Sequence, residues 1–114
     1  MINGEQRKLL HEFVILDLAI QSLQRDYEVI ENLKMSKVYL PILDGYLKAI
    51  RNDYFNLKRV LANQKITIVK WEKVSEYFSD LTVTSTGNDD VFRYANQALK
   101  TQVEELLISK QMDK

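Results

Sequence analysis

The stretch from Gln6 to Leu33 reads QRKLLHEFVILDLAIQSLQRDYEVIENL, and apolar residues recur in it at Leu9, Phe13, Leu16, Ile20, Leu23, Tyr27 and Ile30. Steps alternating between four and three hold this seam over three heptads, which predicts a long amphipathic helix over about 5–33. A second apolar set, Val14, Ile15 and Leu18 with His11 at the same spacing, falls on roughly the opposite face between residues 11 and 18. A helix that is apolar on two faces needs cover on both. The cover comes either from two other elements of its own chain or from one of them and a partner molecule.

Working outward, the segment Met35–Tyr39 interrupts the pattern, and Pro41 suits the first turn of a second helix, where a missing N–H costs nothing. That helix is expected over about 40–62. Its seam is Leu43, Leu47, Ile50, Tyr54, Leu57 and Leu61, with Asn63 as a C-terminal cap. Gly45 within it costs about 1 kcal/mol relative to alanine, so it either permits a close helix crossing or is tolerated by packing. Two seams of matching period joined by a short connection read as an antiparallel helical hairpin.

Beyond Gln64 the residues change to β-branched and aromatic types, Lys65–Trp71 and Tyr77–Thr84, which predict a short β-hairpin over about 65–85. The cluster Thr86–Asp90 then reads as a chain breaker followed by acidic residues suited to a helix N-terminus. A third helix is expected over about 89–109, with Phe92, Ala95, Leu99, Val103 and Leu106 on one face. The expectation for residues 1–114 is a single α+β domain, predominantly α, with a long antiparallel helical hairpin, a short β-hairpin and a closing C-terminal helix.

Composition narrows the function classes. The chain has 114 residues, 46% apolar and 28% charged, with three Gly, one Pro and no Cys. That excludes disordered, collagen-like and disulfide-scaffold readings, and with them a thiol nucleophile. The opening residues carry no apolar signal-type run, and no apolar stretch approaches the ~18 residues of a membrane span. A cytoplasmic protein without membrane contact is the expectation.

The helical hairpin, the β-segment opening at Ile66–Val69, the stretch Tyr94–Leu99 and the run Val103–Leu107 together resemble a group of small uncharacterised helical proteins of low-GC Gram-positive bacteria and their phages. The resemblance implies a bacterial cytoplasmic setting. It implies no activity and no binding residues.

His11 is the single histidine. It aligns with Val14, Ile15 and Leu18 rather than with a nucleophile, which favours a packing or interface role over catalysis. No Glu-x-x-His pair, His-Glu-x-x-His motif or calcium loop is present, and three scattered glycines cannot form a phosphate loop. Asn88, Asp89 and Asp90 read as helix-capping residues rather than cation ligands. Neither an enzyme nor a cofactor nor a metal is expected.

Charge patterning says more. The formal net charge is zero, yet it runs as −3 over residues 1–33, +6 over 34–73 and −3 over 74–114. Lys48, Arg51, Phe55 and Lys58 share one stripe of the second helix, a basic surface holding an aromatic, which is one footprint of nucleic-acid binding. The bland alternative is that the acidic first and third helices neutralise it. A 28-residue first helix would reach about 42 Å, more than a compact domain of this size covers. The leading expectation is therefore a non-enzymatic protein–protein interaction module that self-associates as a dimer through helix 1. Its candidate interface is Leu10, Val14, Ile15 and Leu18, or the distal seam at Tyr27 and Ile30. A nucleic-acid-binding or regulatory protein using the basic stripe is the alternative.

Overall fold

The computed structural model describes residues 2–112. Two long helices, α1 (Gly4–Ile30) and α2 (Ser36–Asn63), lead into three strands, β1 (Ile66–Lys73), β2 (Phe78–Ser85) and β3 (Asn88–Ala95), followed by α3 (Asn96–Met112). The architecture is α+β and mostly helical, with the helical hairpin first and a helix closing the chain. Among the described residues no helix is long and apolar enough to cross a membrane.

A capping box opens α1: the Gln6 N–H donates to Asn3 Oδ1 at 2.8 Å and the Asn3 N–H donates to Gln6 Oε1 at 3.1 Å. The helix stops at Ile30, short of Leu33, because the chain tightens there. The N–H groups of Asn32 and Leu33 reach back three residues, to Val29 and Ile30, and Asn32 Nδ2 donates to the Glu28 carbonyl. α2 then begins at Ser36 rather than Leu40, so Pro41 lies in its second turn. Pro41 is exposed, and water can take the Lys37 carbonyl that the ring leaves without an intrahelical donor. At the far end Asn63 remains helical, and Lys65, with φ +60°, is the left-handed residue that turns the chain. Gly45 faces open space, where an added Cβ would meet nothing within 4 Å, so it is tolerated and permits no close crossing.

The expected β-hairpin over 65–85 is part of a three-stranded antiparallel sheet in the order β1-β2-β3. Residues 88–95, expected as the start of the third helix, are a strand instead, and α3 begins at Asn96. Two consecutive residues explain the difference. Thr86 and Gly87 have φ +49° and +84°, the paired positive angles of a type I′ turn, and Ser85 pairs directly with Asn88 across it. The Asn-Asp-Asp run therefore enters a strand and caps no helix.

The sheet is two-faced. Ser79, Leu81, Val83 and Ser85 of β2 are buried, whereas Asp80, Thr82 and Thr84 face outward. On the outer face Arg93 forks onto Asp80 at 2.8 and 3.0 Å, which holds the Asp80 carboxyl below the usual carboxylate range. Among the described residues, the largest side chains completely withdrawn from solvent are Leu10 of α1, Ile50 of α2, and Leu81 and Val83 of β2. Asn96 ties the layers at the joint. Its backbone N–H donates to the Tyr77 carbonyl, its Nδ2 donates to the carbonyls of Ser75 and Glu76, and its Oδ1 accepts from the buried Ser79 hydroxyl.

Candidate interaction surfaces and the His11 cavity

The second face of α1 is covered from within the chain. Leu10, Val14 and Ile15 lie in the core. Val14 and Leu18 border Ile68, Trp71 and Leu81 of the sheet, and Leu18 also faces Leu99 and Val103 of α3. Leu10, Val14 and Ile15 thus lie in the interior of the chain, and Leu18 is partly buried at its margin. The physical reason is the third strand: with β3 added and α3 docked after it, the sheet and α3 supply the second cover that the sequence left open to a partner.

That cover ends partway along the hairpin. No residue from 24 to 42 is buried, so the last two turns of α1, the connection and the first two turns of α2 form a bare two-helix arm. Tyr27 and Ile30 are half-buried against the rest of the core, continuing the seam between the helices. Around them six large apolar side chains stand 44–64% exposed: Val29, Leu33, Met35, Val38, Tyr39 and Ile42. The arm carries charges of both signs, with Arg25, Asp26, Glu28 and Glu31 on the α1 side and Lys34 and Lys37 toward α2. Sequence reasoning passed over Val38 and Ile42 because they fall outside the α2 seam. Their signal was the apolar residue that matches no seam.

The basic stripe faces solvent. Lys48, Arg51, Phe55 and Lys58 are all exposed, and none of the three basic residues takes part in an ion pair among the described residues. Phe55 meets Tyr54 edge-on at 5.3 Å, and Tyr54 stacks on Phe13 of α1 at 4.7 Å. Neutralisation by α3 does not occur in the expected sense. The ion pair joining α3 to α2 runs from Lys110 to Asp53 at 2.7 Å, a base on the acidic helix and an acid on the basic one. Just below the stripe, Asp17 lies half-buried beside Phe13, Tyr54 and Ile68. Burial pushes its carboxyl up, against the lowering effect of the Gln21 side chain, which donates to it at 2.8 Å. Burial first, and the Asp17 charge second, raise the Tyr54 hydroxyl.

His11 is half-buried and stacked on Tyr94, with ring centroids 5.6 Å apart. Its Nε2 is hydrogen-bonded to the Gln102 side-chain amide. Burial raises the Tyr94 hydroxyl, and the Arg7 charge works against it. His11 also lines a cavity of about 760 Å³ where α1, α2 and α3 meet. Its floor is apolar, made by Ile15, Leu16, Leu57 and Leu106, and carboxylates from all three helices, Glu12, Asp53 and Glu105, stand around it. The histidine thus sits in a cleft with acids, although its ring is engaged by an amide and not by any of them. Among the described residues no group of three or more His, Asp or Glu side chains is placed to hold a metal ion.

A model of the YhjD protein family matches residues 1–110. A relative described as the uncharacterised protein YhjD of Bacillus subtilis (strain 168) is 31% identical over 101 residues, covering 87% of this chain and 83% of that protein. No solved structure matches.

Proposed function

The chain belongs to the YhjD protein family, and from that premise we propose that it is a non-enzymatic protein–protein interaction module of the bacterial cytoplasm, self-associating as a dimer through the tip of its helical hairpin. The observation that carries this reading is the bare arm, where six large apolar side chains are exposed beyond the end of the core. Contiguous apolar surface rimmed by charge is what association sites present to water. The favoured occupant is a second copy of this chain. A two-fold interface is self-complementary, and the arm supplies both partners for such pairing, the acids Asp26, Glu28 and Glu31 and the bases Arg25, Lys34 and Lys37. The expected contact thereby moves outward from Leu10, Val14, Ile15 and Leu18 and keeps only the distal seam at Tyr27 and Ile30.

Sedimentation velocity at tens of micromolar tests it. The intact chain is expected to run as a dimer, and Val38→Glu combined with Ile42→Glu as a monomer with unchanged helix content. A chain that is monomeric throughout that range overturns the proposal.

A second reading rests on the exposed stripe Lys48, Arg51, Phe55 and Lys58, free of ion pairs among the described residues. It is a surface for single-stranded nucleic acid, with Phe55 available to stack on a base. Binding is then expected to weaken steeply with salt and to be lost in Lys48→Glu with Arg51→Glu. Absence of binding to single-stranded probes at low salt ends it.

A further inference from the structure

The cavity at His11 is independent of the arm, and its lining has a defined chemistry. Its floor is made of aliphatic side chains, two of them, Ile15 and Leu16, no more than 7% exposed. One wall carries the His11 ring, immobilised between the Tyr94 face and the Gln102 amide. Asp53 of α2 also lines the cavity, and its carboxylate is bridged to α3 by the Lys110 ammonium at 2.7 Å. Of the three carboxylates at the cavity, Asp53 is occupied by Lys110, whereas Glu12 on α1 and Glu105 on α3 are exposed and take part in no ion pair among the described residues. With the lysine counted, the rim carries two negative charges in excess. The site is a cleft open to solvent, and its volume of about 760 Å³ gives room for a drug-sized ligand lying on an apolar floor with a few placed polar groups.

We propose that this cavity is a binding site for a small amphipathic organic cation, an arylalkyl amine in chemical class, with the apolar body on the Ile15, Leu16, Leu57 and Leu106 floor and the ammonium group between Glu12 and Glu105. The imidazole forms the side of the site and takes part in no covalent step. An anion of the same shape meets the same floor but faces the excess carboxylates. Charge therefore selects among ligands that the floor alone would accept equally.

Because the chain has one histidine, the imidazole C–H signals in a proton NMR spectrum belong to His11 without further assignment. Tryptamine is the probe, and indole-3-propionate is its control of opposite charge. Titration with tryptamine is expected to move the His11 signals along a saturating curve. Indole-3-propionate is expected to bind weaker by about tenfold or more, the scale on which charge complementarity discriminates. Glu12→Gln combined with Glu105→Gln changes two exposed residues and leaves the core intact. It is expected to weaken tryptamine by about tenfold while the thermal midpoint stays put. The proposal fails if tryptamine leaves the His11 signals unmoved, if the two ligands bind equally, or if the glutamine pair binds tryptamine as the intact chain does.

Discussion

The two ends of the helical hairpin are built from the same two helices and the same kind of seam, yet they differ in everything that packing decides. At the base, α1 and α2 are joined by the sheet and by α3, and Leu10 and Ile50 are completely withdrawn from water. At the arm, Tyr27 and Ile30 continue the seam but stay half-buried, and nothing between residues 24 and 42 is buried. A seam between two helices shields each side chain from one direction only. Full burial needs a third layer, and here that layer is shorter than the helices it covers. Helix length was set by capping and by the turn after Ile30, whereas core length was set by how far β1–β3 and α3 extend.

Cutting a side chain at each end separates the two regimes most sharply. Ile50→Ala opens a cavity in a close-packed site and is expected to cost about 2–5 kcal/mol, whereas Val38→Ala on the arm is expected to change stability by no more than about 0.5 kcal/mol. Urea unfolding monitored by circular dichroism checks both, and equal costs would mean that the arm is packed after all. A smaller effect tests what made the third layer possible. Gly87→Ala meets no neighbouring atom but must hold φ near +84°, so it is expected to cost about 1 kcal/mol through the backbone alone. A loss well below that would mean the turn relaxes without disturbing the β2–β3 register. The smallest effect concerns the charge that the base buries. Since the folded-state pKa of Asp17 is raised, its ionised form costs stability at neutral pH, and that cost is relieved as pH falls through the folded pKa. Asp17→Asn is therefore expected to be the more stable protein near pH 7. Its advantage should shrink toward acid, measured as the difference in thermal midpoint between pH 7 and pH 3.

Both helices and the joint between them were legible in the sequence because their apolar steps repeat over many turns, and a long periodic signal survives local exceptions such as Gly45 and Pro41. β3 was not legible because its residues fit two periods at once. Phe92, Ala95 and Leu99 fall three and four apart as on a helix, while Phe92 and Tyr94 alternate with Val91 and Arg93 as on a strand. Only the turn decided between them, and Thr-Gly is a weaker hairpin signal than Asn-Gly. The sharing of one side of α2 by Lys48, Arg51, Phe55 and Lys58 follows from helical spacing alone. Whether this stripe faced water depended on where α3 lay, which no local pattern records. The His11 cavity was still less visible, since Gln102 and Asp53 reach it from helices far apart in the chain.

That distance has a consequence for how the molecule assembles. Most of its neighbours in space are neighbours in sequence: α1 with α2, β1 with β2, and β2 with β3. Such pairs form without closing large loops, and chains rich in them fold quickly. The bond between His11 and Gln102 spans 91 residues, so the docking of α3 onto α1 bears the largest chain-entropy cost of any step. It becomes favourable only after the hairpin and the sheet have brought the two ends of the chain together, which places the closure of α3, and with it the appearance of the His11 cavity, late on the folding route.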